Sequence, residues 1–226
     1  MPRSKRYKEL LTKIDKEQSY PIKEAVQLIK QTATTKFDSG IEVHLRLGIN
    51  PKKGDQQIRG TVVLPHGIGK ILKVAVFAEG DKAKEAKSAG ADFVYNEEDI
   101  ADIKKTGKIA FDIAVAQPEM MKKMAPIAKT LGQKGLMPSP KNETVTLNIE
   151  KTVKELKAGK IAYKNDDTAN VHQLIGRASF EDKKIIDNFE TIIKAIKESK
   201  PESLKATYIK NIYLTSSMGP SIKVEI

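Results

Sequence analysis

The chain has 226 residues, enough for one large domain or two modest ones. Its 40 Lys and Arg against 29 Asp and Glu leave a formal charge of +11, which favours a polyanionic partner, either nucleic acid or an anionic membrane surface. The absence of cysteine excludes disulfides, thiolate metal sites and cysteine nucleophiles, and with no tryptophan and only 5% aromatic residues a module that reads many stacked bases is disfavoured.

Residues 1–18 are dominated by Arg3, Lys5, Arg6, Lys8, Lys13 and Lys16, with Leu10, Leu11 and Ile14 placed for a short helix against the body. Pro21 opens a clearer helix, since proline is tolerated in a first turn, and Ile22, Ala25, Val26 and Ile29 fall on one stripe. Next, Ile41, Val43, Leu45, Leu47 and Ile49 alternate with Glu42, His44, Arg46 and Gly48. That period of two predicts a strand with one apolar and one charged face. Turn chemistry at Asn50-Pro51 and Lys52-Lys53-Gly54 leads into a second strand, Arg59–Leu64, which Pro65 stops.

After Gly67 and Gly69 the pattern changes. Strands at Lys73–Ala78, Asp92–Tyr95 and Asp112–Ala116 alternate with helices at Asp81–Ser88, Glu97–Lys105 and Pro118–Thr130. This is the spacing of βαβ units, hence of a small parallel sheet with helices on both faces. Val145, Leu147 and Ile149 predict another strand over Thr144–Ile149, and Val153–Lys157 a short helix before Gly159. Strands Lys160–Lys164 and Asn170–Arg177 then flank the polar loop Asn165-Asp166-Asp167-Thr168. The strongest helix follows, with Ile185, Ile186, Phe189, Ile192, Ile193 and Ile196 on one stripe. Ser179 and Asp182 predict a capping box at its start, and Pro201 ends it. Tyr208–Thr215 and Ser221–Ile226 are the last strands, joined by Ser216-Ser217-Met218-Gly219-Pro220.

Two flanks of α+β character therefore surround an α/β block. The expected fold combines both classes in two domains. Residues 1–67 and 160–226 form a discontinuous two-layer α/β sandwich, and 68–159 an inserted Rossmann-like parallel-sheet domain. The chain crosses between them at Gly67–Gly69 and Ala158–Gly159, which makes Gly67, Gly69, Ala158 and Gly159 a candidate hinge. The same glycines could equally terminate a strand and a helix. With no signal peptide and no apolar run of about 18 residues, the sequence reads as cytoplasmic and soluble.

Catalytic readings find little support. Gly67-Ile68-Gly69-Lys70 lacks the spacing of a phosphate loop, and Ile71 stands where the magnesium-binding hydroxyl belongs. After its first strand the central block carries Gly80 alone, short of a dinucleotide fingerprint. The three histidines, His44, His66 and His172, show no ligand spacing, so neither a metal nor any other cofactor is expected. Carboxylates are scattered among lysines, and no nucleophile has a neighbouring base. The expectation is a binding protein and not an enzyme. A nucleotide-dependent enzyme built on the central block is the alternative, and a DNA-binding regulator a third reading that no helix-turn-helix pattern supports. Two places invite a binding role. The Ser217-Met218-Gly219 turn offers hydroxyls and close backbone approach along a sugar–phosphate chain, or is an ordinary hairpin turn. Phe37 is either a base or ribose platform, or a staple between helix and strand.

Several segments, in order and over nearly the whole chain, resemble the family of large-subunit ribosomal protein one, the RNA-binding proteins of the mobile ribosomal stalk. They are Lys36-Phe37-Asp38, Glu42-Val43-His44, Arg59-Gly60-Thr61-Val62, Leu64-Pro65-His66-Gly67, Gly135-Leu136-Met137-Pro138-Ser139-Pro140-Lys141, Asn165-Asp166 and Ser217-Met218-Gly219-Pro220. The resemblance implies the two-domain arrangement, with the main RNA surface on the domain made from both chain ends. It implies binding to stalk ribosomal RNA beside the exit site, help in releasing deacylated transfer RNA, and, in bacteria, repression of the protein's own operon messenger RNA. Such a protein is expected in the cytoplasm on the ribosome, and as a monomer off it. The family's RNA contacts map onto Lys36, Phe37, Glu42, Asp166, His172, Ser217, Met218 and Gly219, with a secondary contact at Lys134 and Lys141. Three positions depart from its pattern: Gly40 for a hydroxyl residue, Asp167 for a common lysine, and Asn211 for a frequent serine. Asp167 would repel phosphate.

Overall fold

The computed structural model describes residues 3–204 and 207–225. In chain order it has α1 (Lys5–Leu11), α2 (Ile22–Thr32), β1 (Gly40–Leu47), β2 (Arg59–Val63), β3 (Val74–Phe77), α3 (Asp81–Ser88), β4 (Phe93–Tyr95), α4 (Glu97–Thr106) and β5 (Ile113–Ala116). These are followed by α5 (Met120–Lys123), α6 (Ala128–Gln133), α7 (Ile149–Ala158), β6 (Lys160–Lys164), β7 (Asn170–Arg177), α8 (Asp182–Glu198), β8 (Ile209–Ser216) and β9 (Ser221–Val224). The chain divides into two compact units, Met1–Gly69 with Ala162–Ile226, and Lys70–Ile161. Ile226, assigned from sequence to the last strand, lies outside the described residues.

In the discontinuous unit, an antiparallel sheet runs in the order β7-β1-β8-β9. The alternation along β1 has its expected effect: Ile41, Val43, Leu45 and Leu47 are buried, while Glu42, His44 and Arg46 lie on the other face. Each such apolar side chain stabilises by roughly 1.5–3 kcal/mol on full burial, so a one-residue slip of β1 would turn all four out to water. Helices α2 and α8 cover the apolar face, α2 through Ala25, Val26 and Ile29, and α8 through Ile185, Phe189, Ile192 and Ile196. Strands β2 and β6 form a separate two-stranded sheet.

Two features of α8 differ from the sequence reading. Its stripe includes the fully buried Asn188, whose amide nitrogen donates to the carbonyls of Gly67 and Ile175, both at 2.8 Å, and whose oxygen accepts the His66 amide at 3.2 Å. Its N-cap is Glu181, with no side-chain cap, so the capping box is a correction. Ser179 is drawn instead to Asp38, whose carboxylate accepts its hydroxyl at 2.8 Å and its amide at 3.1 Å. A tertiary partner outcompetes the local one.

The inserted unit has a parallel sheet in the order β4-β3-β5. One face packs Phe77, Phe111, Met120, Met124 and Leu131, and the other Val74, Val76, Ile149 and Val153. Here too the expectations need correction. The helix over Pro118–Thr130 is broken into α5, a 3-10 turn at Ala125–Ile127 and α6, because Pro126 has no amide to continue the α ladder. Thr144–Ile149 forms no strand. Val145 makes a single bridge to Ala116, after which the Asn148 side chain accepts the Lys151 amide and starts α7 at Ile149. An N-cap prevails over two-residue periodicity.

Candidate nucleic-acid interface

The outer face of the four-stranded sheet is built by register. His44 on β1 pairs with His172 on β7 and Tyr213 on β8, and Tyr213 in turn with Lys223 on β9. Two residues along, Glu42 lies opposite Thr215; two residues the other way, Arg46 lies between Asn170 and Asn211. The result is a polar stripe along β1, ~14 Å from Glu42 to Arg46 at the rise of an antiparallel strand.

At its centre the two imidazoles meet, Nδ1 to Nδ1 at 2.7 Å, with ring planes at 62°. His44 Nε2 is 2.8 Å from the Thr215 hydroxyl. Facing Nδ1 atoms at this distance hold one proton between them, so one ring donates and the other accepts. Burial first, and the nearby His172 second, push the His44 pKa down; Glu42, with an oxygen 3.8 Å away, opposes them. Sequence spacing hides this pair, because the register brings together residues from distant parts of the chain.

At one end of the stripe the chain makes the Ser216–Pro220 turn. Ser217 anchors it to β1: its amide donates to the Gly40 carbonyl at 2.9 Å, and its hydroxyl accepts the Gly40 amide at 3.2 Å. At Gly40, a departure from the family pattern, a Cβ would come within 2.8 Å of Leu174 Cδ1 and 3.3 Å of the Ser217 hydroxyl, so a larger residue would require the Leu174 side chain to shift. Met218 has a left-handed φ of 62° and is 71% exposed. A Cβ at Gly219 would meet the Ser216 hydroxyl at 2.1 Å and the Ser216 carbonyl oxygen at 3.2 Å, so a larger residue would force the Ser216 side chain to turn. Lys36 and Phe37 lie on the loop before β1, and Phe37 is 56% exposed, so it does not act as a staple. Arg6 joins loop to turn by donating to the Met218 carbonyl at 2.9 Å and the Thr34 hydroxyl at 3.3 Å.

At the other end, Asp166 serves its own loop. Its carboxylate accepts the Thr168 amide at 2.9 Å, the Thr168 hydroxyl at 2.7 Å and the Asn170 amide at 2.7 Å. Burial raises its pKa, but bonds from Asn170 and Thr168 outweigh that and hold the carboxyl well below its usual range. The Thr168 carbonyl accepts from Arg46 at 2.6 Å. Asp166 is therefore a loop organiser that presents Arg46 and Thr168, while Asp167 is exposed.

The residues carried over from the family thus line one sheet face. Lys36, Phe37, Ser217, Met218 and Gly219 stand at one end, Glu42 and His172 follow along it, and Asp166 marks the far end. Sequence reasoning passed over Tyr213 and Thr215, although Ile212 and Leu214 between them give the period-two signal that would have placed them outward. Lys134 and Lys141 belong to the other unit, where both are exposed.

The inserted unit carries carboxylates where an α/β sheet binds nucleotides, beyond the carboxyl ends of its strands. Glu97 at 2.8 Å and Glu79 at 2.9 Å hold Lys123 and push its pKa up. Two acids around one base are a poor cradle for phosphate. Among the described residues, no group of three or more His, Cys, Asp and Glu side chains could hold a metal ion, and no helix is long and apolar enough to cross a membrane. A family model described as "Ribosomal protein L1p/L10e family" matches residues 29–220.

Proposed function

We propose, for a chain that belongs to the ribosomal protein L1p/L10e family, that the outer face of its four-stranded sheet and the Ser217–Gly219 turn bind the stalk ribosomal RNA. Membership makes it a protein of the large ribosomal subunit. The finer reading is a structural, non-enzymatic component that sits beside the exit site, aids release of deacylated transfer RNA and represses its own operon messenger RNA by the same surface.

The observation that carries this is the turn itself. It offers an exposed methionine on left-handed backbone and is bolted to β1 by two hydrogen bonds, while an exposed phenylalanine stands on the loop that leads into the same strand. Apolar side chains and spare backbone groups held rigidly at a polar sheet edge suit ribose and base faces. Lys134 and Lys141 would add a secondary, electrostatic contact.

The test reads RNA affinity against salt. Met218→Ala and Ser217→Val should each cost roughly 1–3 kcal/mol and leave the salt slope unchanged, since neither displaces a counterion. Lys141→Ala should spare affinity at high salt and reduce the slope by at most about one unit. If both turn variants bind like the parent, the turn is only a turn. Nucleotide binding by the inserted unit in equilibrium dialysis would instead favour the enzymatic alternative. The hinge belongs to the same proposal: Gly67, Gly69 and Gly159 have φ of 61°, 69° and 112°, beside the helix end at Ala158. Gly67→Ala and Gly159→Ala should then narrow the distance distribution between dyes on the two units, and an unchanged distribution would remove the hinge.

A further inference from the structure

Beside the turn lies a groove lined by Arg3, Ser4, Arg6, Tyr7, Met218 and Gly219. Three observations give it a chemistry. The Arg3 guanidinium sits 4.3 Å from the centre of the Tyr7 ring, a cation–π contact that holds the charge beside the groove. No carboxylate pairs with Arg3 or Arg6 among the described residues, and Arg6 spends its donors on the neutral Met218 carbonyl and Thr34 hydroxyl, so both positive charges remain uncompensated. The opposite wall is the exposed Met218 and the close-approach Gly219. Ser4 already caps the Tyr7 amide, so recognition here falls to side chains and not to free helix amides.

We propose that this groove is an additional RNA site that takes one phosphodiester of the strand leaving the turn. Arg3 is the phosphate-binding group, Tyr7 the residue that positions it, and Met218 the apolar floor under the adjoining ribose or base. The groove is continuous with the proposed sheet-face site and rests on that reading. The charge selects an anion, and the apolar floor favours a nucleotide over a bare one.

The experiment uses the full chain and a transcript of the large-subunit stalk RNA, with affinity measured over a range of salt. Arg3→Gln should make the salt slope shallower by about 0.7–0.9 unit, the share of one phosphate. Lys13→Gln, the same charge change beyond the groove, should leave it unmoved. Tyr7→Leu should weaken binding roughly fivefold to tenfold, whereas Tyr7→Phe, which keeps the ring, should match the parent. In the parent, crosslinking to 4-thiouridine-substituted transcript should recover peptides containing Tyr7 as well as Met218, a readout independent of whether a variant folds. Arg3→Gln indistinguishable from Lys13→Gln, or Met218 crosslinking without Tyr7, overturns the groove while Met218→Ala still tests the sheet face. No loss in any variant, Met218→Ala included, overturns both.

Discussion

The residue with the clearest physical signature is His44. Its folded pKa lies below the ordinary histidine value of 6.5, from burial first and His172 second. A group whose charged form is disfavoured on folding binds fewer protons in the native state than in the unfolded one. Its contribution to stability is complete above the unfolded value of about 6.5 and is lost as pH falls through the folded value. Urea midpoints measured at pH 7.5 and 5.5 should therefore drop further for the parent than for His44→Gln. An equal drop would mean that His44 makes no pH-dependent contribution to stability. Protonation also adds positive charge to the proposed RNA face, so RNA affinity should move opposite to stability over the same interval. This site was half legible. The alternation around His44 places it outward, but only the cross-strand register reveals its partner His172. Asp166 teaches the complementary lesson, because sequence marks the residue while only its bonds show that the carboxylate is already engaged.

Elements were legible wherever one signal acted alone. β1 needs nothing beyond its alternation, and Asp81–Ser88 matches its predicted bounds because Gly80 and Gly90 punctuate it. Elements were misread where two local preferences competed, as at Asn148 and Pro126, or where a distant group claimed a capping side chain, as Asp38 claims Ser179. The isoleucine helix α8 was found from its stripe, yet the polar member of that stripe does more than the hydropathy pattern shows. Asn188 ties α8 to β7 through a buried hydrogen bond and to the Leu64–Gly67 turn through two half-buried ones. Asn188→Leu keeps the branched heavy-atom outline and deletes all three, leaving two carbonyls and an amide short of partners. A loss of about 2–4 kcal/mol in chemical denaturation is expected, more than for a surface leucine substitution. A loss below about 1 kcal/mol would show that water or relaxation replaces those bonds. Gly48→Ala is a second test of element geometry, because its Cβ would meet the Thr207 carbonyl oxygen at 2.1 Å. A backbone atom cannot rotate away, so that variant should unfold at a clearly lower temperature.

At the scale of the molecule, the discontinuous unit has a core of its own, in which the sheet, α2 and α8 bury one another. Residues 1–69 joined by a short linker to 162–226 should fold cooperatively and keep RNA affinity within about tenfold of the full chain. A non-cooperative melt, or loss of most of the affinity, would contradict the placement of the RNA site on that unit. The sheet order has a further consequence, in the timing of synthesis. β1 (Gly40–Leu47) lies between β7 (Asn170–Arg177) and β8 (Ile209–Ser216), so both its neighbours are translated long after it. A nascent chain carrying β1 alone exposes two unpaired edges, while the insert, whose three strands are contiguous in sequence, can settle first. The polar face and the Met218 turn come into being only when β8 joins β1. If the proposed face is the RNA site, a product broken off before Ile209 lacks the Met218 turn, and a shortened copy should compete poorly with the complete one for the RNA.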